Sequence, residues 1–141
     1  MKGEERKVRD YIGGASLIFG IAVLTSQFLG LYYGSMKFNH FESHDVGIVY
    51  IAFISSHLIG GVLGGFLVSR RRDEGLIRAG LMTALIAYVI EYIYHLIFER
   101  MFPGHLEALI ATLIGGLIGG LLALTLRRMS APSPPDSPLQ S

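Results

Sequence analysis

Four long apolar stretches, 11–34, 47–68, 76–101 and 106–126, occupy most of this 141-residue chain. Each reaches the roughly 20 residues that an α-helix needs to cross the hydrocarbon core of a bilayer. In hydrocarbon every backbone polar group must be satisfied internally, so spans of this length fold as helices. The expected fold is an all-α membrane protein, a four-helix transmembrane bundle. Its domains would be a cytoplasmic N-terminus (1–10), the transmembrane domain (11–129) and a disordered cytoplasmic tail (130–141). Four of the five prolines and several serines crowd that tail, a composition unsuited to a packed helix.

The charges are few and segregated. Only 16% of residues are charged, against about a quarter in soluble domains. Lys2, Arg6, Lys7, Arg9, Arg70, Arg71, Arg72, Arg78, Arg127 and Arg128 fall on one side of a four-span arrangement, and Lys37 and Arg100 on the other. The positive-inside rule then predicts a multi-pass protein of the cell membrane with both termini cytoplasmic. Tyr32, Tyr33, Phe38, Phe41, Tyr50, Phe98 and Phe102 would form an aromatic belt at the opposite interface. The first stretch is too long for a signal peptide and no small-x-small cleavage site follows it, so it reads as a retained anchor. There is no basic stripe away from the cytoplasmic ends, which argues against a nucleic-acid partner. The chain has no cysteine, which excludes disulfides and thiolate chemistry.

Glycine supplies the packing pattern. Gly60, Gly61, Gly64 and Gly65 share one side of the second span, and Gly115, Gly116, Gly119 and Gly120 share one side of the fourth. Gly80 aligns with Ala84 and Ala87 on the third, and Gly13, Ser16, Gly20 and Gly34 align on the first. Lipid tails are as apolar as leucine, so helices associate in a bilayer by close packing, which small residues permit. These zipper-like faces would form the bundle interior, a homo-oligomer interface, or a contact within a larger membrane complex. The segments 58–67 and 113–122 also repeat one pattern, Leu-Ile-Gly-Gly-x-x-Gly-Gly, as two duplicated helical hairpins would.

Polar residues on these faces form the candidate site. Gln27, His57, Glu91, His95 and Thr112 fall on or near the small-residue stripes, in the outer half of their spans. His57 and Glu91 come to similar depth and are natural partners. Ionisable groups inside a membrane are costly and often functional. Three readings follow: a hydrogen bond fixing helix register, a proton or cation pathway, or a metal site. In the outer loop His40, Glu42, His44 and Asp45 offer weaker metal candidates, since imidazole and carboxylate suit divalent ions but their spacing matches no established site.

Enzyme motifs are missing. Glu91 and His95 give E-x-x-x-H, not H-E-x-x-H, and neighbours such as Ser56 and His57 point apart on a helix. No nucleophile elbow or phosphate loop occurs. The expectation is a non-enzymatic protein needing no cofactor, with the lipid bilayer as its surroundings. It would act as a packing, accessory or scaffold subunit through glycine faces, or as a proton or cation transport component. The run from His57 to Gly80 and the closing G-G-x-x-G-G helix resemble an uncharacterised family of small four-span membrane proteins of archaea and bacteria. That resemblance implies a four-helix membrane fold and no particular activity.

Overall fold

The computed structural model describes residues 2–36, 43–98 and 104–130. Four helices follow one another: α1 (Lys2–Met36), α2 (Ser43–Ser69), α3 (Leu76–Phe98) and α4 (His105–Met129). All four are long and apolar enough to cross a membrane, and there is no strand among the described residues. The chain is a multi-pass membrane protein built as a four-helix bundle.

Side-chain partition explains the architecture. The buried apolar residues are mostly alanine: Ala15, Ala22, Ala79, Ala84, Ala87, Ala108, Ala111 and Ala123. Large apolar side chains such as Leu24, Phe28, Ile51, Ile59, Leu96 and Ile110 face outward. A water-soluble bundle of this size would bury such residues. Here the surroundings accept them, and the interior is left to small residues that let backbones touch.

Glycine makes those contacts, and each glycine helix uses two adjacent stripes. On α2, Gly60 and Gly64 face Ile18 of α1, while Gly61 and Gly65 face α4. On α4, Gly115 and Gly119 face α2, and Gly116 and Gly120 face α3. A Cβ added at Gly65 would sit 2.9 Å from the Cα of Gly116, and one at Gly120 would sit 2.8 Å from the Cα of Ile77. A Cβ at Gly80 would collide with the Gly116 carbonyl oxygen. Helix α2 touches all three others, and so does α3, but α1 and α4 do not meet among the described residues. A strict two-fold between hairpins would match every α2–α3 contact with an α1–α4 contact. The glycine repeat is thus used in two different neighbourhoods.

Helix α1 departs from the sequence expectation in two ways. It begins at Lys2, nine residues before the expected span, so the charged amino-terminal segment is itself helical. It also turns a different face inward: Gly14, Ala15, Ile18 and Ala22 are buried, whereas Gly13 and Ser16 are exposed and Gly13, Gly20 and Gly34 have nothing near them. The early start has a partner. Asp10 Oδ1 accepts from Arg71 Nη1 at 3.0 Å, and Arg72 Nη2 donates to the Lys7 carbonyl at 2.9 Å. The charged end of α1 is thereby tied to the α2–α3 turn.

The turns are set by glycine. Gly75 has φ 63° and Gly104 has φ 108°, values that glycine adopts without a Cβ penalty. Ser69 Oγ donates to the Leu76 carbonyl at 2.7 Å, closing the α2–α3 turn across the chain reversal. Phe38, Phe41 and Phe102 of the expected aromatic belt lie outside the described residues, as does the tail from 131 onward. Tyr32, Tyr50 and Phe98 of that belt are exposed.

Candidate functional site: a buried histidine–carboxylate pair

The α2–α3 turn fixes the depth of the pair. His57 lies about 18 Å along α2 from its end at Ser69, and Glu91 about 22 Å along α3 from its start at Leu76, at 1.5 Å per residue. Antiparallel packing brings them level. His57 Nε2 lies 2.8 Å from Glu91 Oε1 and 3.0 Å from Oε2, and Nδ1 lies 2.8 Å from the Phe53 carbonyl. His57 is completely buried, and Glu91 is 7% exposed. The Phe53 ring lies against the imidazole, with centroids 4.3 Å apart.

This geometry constrains the protons. A carbonyl only accepts, so Nδ1 carries a hydrogen and donates it to Phe53. The second proton is shared between Nε2 and the carboxyl group. With the proton on nitrogen the pair is imidazolium and carboxylate; with the proton on oxygen it is imidazole and carboxylic acid. Both forms have zero net charge, which suits a low-dielectric interior.

The remaining candidates arrange themselves around this pair. His95, one turn beyond Glu91, places Nε2 3.7 Å from Oε1. Thr112 is buried, but its hydroxyl donates to the Ala108 carbonyl of its own helix at 2.7 Å. It belongs to the α2–α4 contact, where its carbonyl oxygen faces Gly61, and not to the polar cluster. Gln27 is exposed at the rim of the site and makes no hydrogen bond among the described residues. The inward phase of α1 follows Ala15, Ile18 and Ala22, which carries Gln27 away from Glu91. The glycines Gly60, Gly61, Gly64, Gly65, Gly80, Gly115, Gly116, Gly119 and Gly120 are all buried.

Two small cavities flank Glu91 and His95. One, with about 20 Å³ of water-sized space, is lined by Phe53, Tyr88, Tyr92, His105 and Ala108 as well as Glu91 and His95. The other, with about 40 Å³, is lined by Phe19, Ser26, Gln27, Phe53 and Tyr94. A water needs roughly 10–15 Å³ of such space and two or more polar partners. The larger cavity has room for a few waters and polar atoms to hold them, whereas the smaller is lined almost wholly by apolar atoms. Sequence reasoning missed Phe53, Tyr88 and Tyr94. Phe53 was detectable, since it lies one helical turn before His57 and so on the same face.

The loop candidates form no such cluster. His40 and Glu42 lie outside the described residues, as does the side chain of His44. Asp45 is buried in the first turn of α2, where a carboxylate complements the helix dipole. Among the described residues no three His, Asp or Glu side chains are grouped as metal ligands. No protein-family model matches the chain, and no curated protein and no solved structure matches it, so no family is confirmed for it.

Proposed function

We propose that this chain is an accessory or scaffold protein of the membrane, in which the His57–Glu91 bond locks the register of α2 against α3. The observation that carries the reading is the occupancy of His57. Both ring nitrogens are held by partners within the bundle, Phe53 and Glu91, and the side chain has no exposure, which suits a bond that fixes helix register. The same occupancy supports a non-catalytic role. Ser56 Oγ donates to the Phe53 carbonyl rather than to His57, so no activated hydroxyl accompanies the imidazole.

The glycine stripes on α2, α3 and α4 are filled by the chain's own helices. A partner helix or second copy is left the outward stripe of α1, where Gly13, Ser16 and Gly20 face away from the bundle. The reading puts the arginine-rich end and both termini in the cytoplasm, supported by the positive-inside distribution of the sequence.

A second reading, as a proton or cation transport component, draws support from the cavities beside Glu91 and His95. Flux measurements separate the two. In proteoliposomes carrying an internal pH dye, the first reading expects proton and cation permeability equal to that of protein-free vesicles. Flux above that level, abolished in the His57→Leu/Glu91→Leu double variant, would replace the scaffold reading with transport.

A further inference from the structure

The end of the bundle remote from the histidine pair holds a recess where the ends of α2, α3 and α4 meet. It encloses about 540 Å³ and is lined by Phe66, Leu76, Ala123 and Leu126 on its apolar side and by Arg70, Arg72, Asp73, Arg127 and Ser130 on its polar side. That volume is within the roughly 300–1,000 Å³ of small-molecule sites. We propose that this recess binds the phosphate headgroup of an anionic phospholipid, with one acyl chain leaving along Leu126.

Charge is the first argument. Three arginines and one aspartate line the recess. Arg70 lies with its guanidinium over the Phe66 ring, 5.7 Å from the centroid, and has no carboxylate partner among the described residues. Arg127 donates to the carbonyls of Arg72 and Asp73, which are neutral, so its charge is also uncompensated. Arg72 adds charge beside the recess, although its own guanidinium is turned to α1, over the Tyr11 ring and onto the Lys7 carbonyl, with Asp10 3.9 Å away.

The carboxyl ends of α2 and α4 point toward the recess and by themselves disfavour an anion. At the end of α2 the carbonyls of Phe66, Val68 and Ser69 accept from Arg70, Arg71 and Arg72 N, and at the end of α4 Leu126 O accepts from Ser130 N. The start of α3 faces the same recess and has the opposite sign.

The apolar wall identifies the source of the phosphate. A free anion has no use for Phe66, Leu76 and Leu126, whereas a lipid brings a tail to them. Leu126 is half exposed, so the recess is continuous with the surface that faces lipid tails. Basic recesses between helix ends at the membrane interface suit such headgroups.

The test uses the full chain in detergent, with native mass spectrometry of bound phosphatidylglycerol against phosphatidylcholine of identical tails. The expected result is a clear preference for phosphatidylglycerol. Loss of charge in Arg70→Gln/Arg127→Gln should cut that preference roughly fivefold per arginine, about 25-fold together. Arg78→Gln/Arg128→Gln removes the same charge outside the recess and should leave it nearly unchanged. Arg70→Lys/Arg127→Lys should retain most of it. If the double glutamine variant does not fold, Arg70→Gln alone decides, with its fivefold loss. Equal losses in the recess and control variants would reduce the effect to general attraction and overturn the site. So would the absence of any preference in the native chain. Inorganic phosphate raising the melting temperature as much as phosphatidylglycerol does would overturn the lipid assignment.

Discussion

Glu91→Ala is the most informative single change. It leaves His57 Nε2 without its hydrogen-bond partner in a site where the imidazole has no exposure. Breaking one side of a buried ion pair costs about 3–5 kcal/mol in water-soluble proteins. In bilayers, measured side-chain hydrogen bonds average only about 0.6 kcal/mol, because alternative partners exist. The structure decides between these limits. The 40 Å³ cavity lets water approach from the Glu91 side, while Phe53 and the helix backbone close the His57 side. We expect Glu91→Ala to cost about 3 kcal/mol, the low end of the buried range. Glu91→Gln keeps a hydrogen-bonding group and should cost about 1 kcal/mol. His57→Leu should cost less than Glu91→Ala, since His95 at 3.7 Å can still serve the stranded carboxylate. The double variant His57→Leu/Glu91→Leu removes both polar groups and should recover most of the loss. The assay is unfolding by sodium dodecyl sulfate from mild-detergent micelles, followed by circular dichroism, as a double-mutant cycle. Additive losses, with a coupling energy below about 0.5 kcal/mol, would refute the register-lock argument.

Other substitutions test the packing and the topology. Gly80→Ala drives a Cβ into the Gly116 carbonyl and should destabilise by about 1–3 kcal/mol in the same unfolding assay. Gly30→Ala, with nothing near it, should be neutral or slightly stabilising, and equal effects at the two sites would contradict the helix contacts. Asp10→Asn should cost about 1 kcal/mol at low salt and less at high salt, because Arg71 in that pair is largely exposed; a salt-independent loss would point to another cause. Cysteines placed at Ser35 and Glu74, both exposed, should label from outside and inside the cell respectively, and reversed labelling would invert the proposed orientation.

Much of the architecture was legible because hydrocarbon imposes a simple rule. A span needs about 20 apolar residues, and four such runs are visible without any structure. The pairing of His57 with Glu91 was legible for a related reason. Both lie on faces lined by small residues, and a short turn fixes their relative depth. What failed was the phase of α1. The stripe Gly13, Ser16, Gly20 has the right spacing for an interface, yet the structure turns Gly14, Ala15, Ile18 and Ala22 inward. Small residues are necessary where backbones approach, but a lipid-facing position tolerates them too, because lipid tails flow around any shape. Spacing alone cannot separate the two cases. On α2 the glycines occupy two adjacent stripes, so an error of one position still lands on a contact. On α1 one position is 100° of rotation, enough to carry Gln27 from the cluster to its rim. Which stripe faces inward is decided by the partner's shape: Ile18, a large side chain, fits because Gly60 and Gly64 of α2 leave room for it. The signal for helix phase was therefore held in the complement between two spans. A bulky residue on one helix opposite a glycine pair on the other locates an interface better than a run of small residues on either alone.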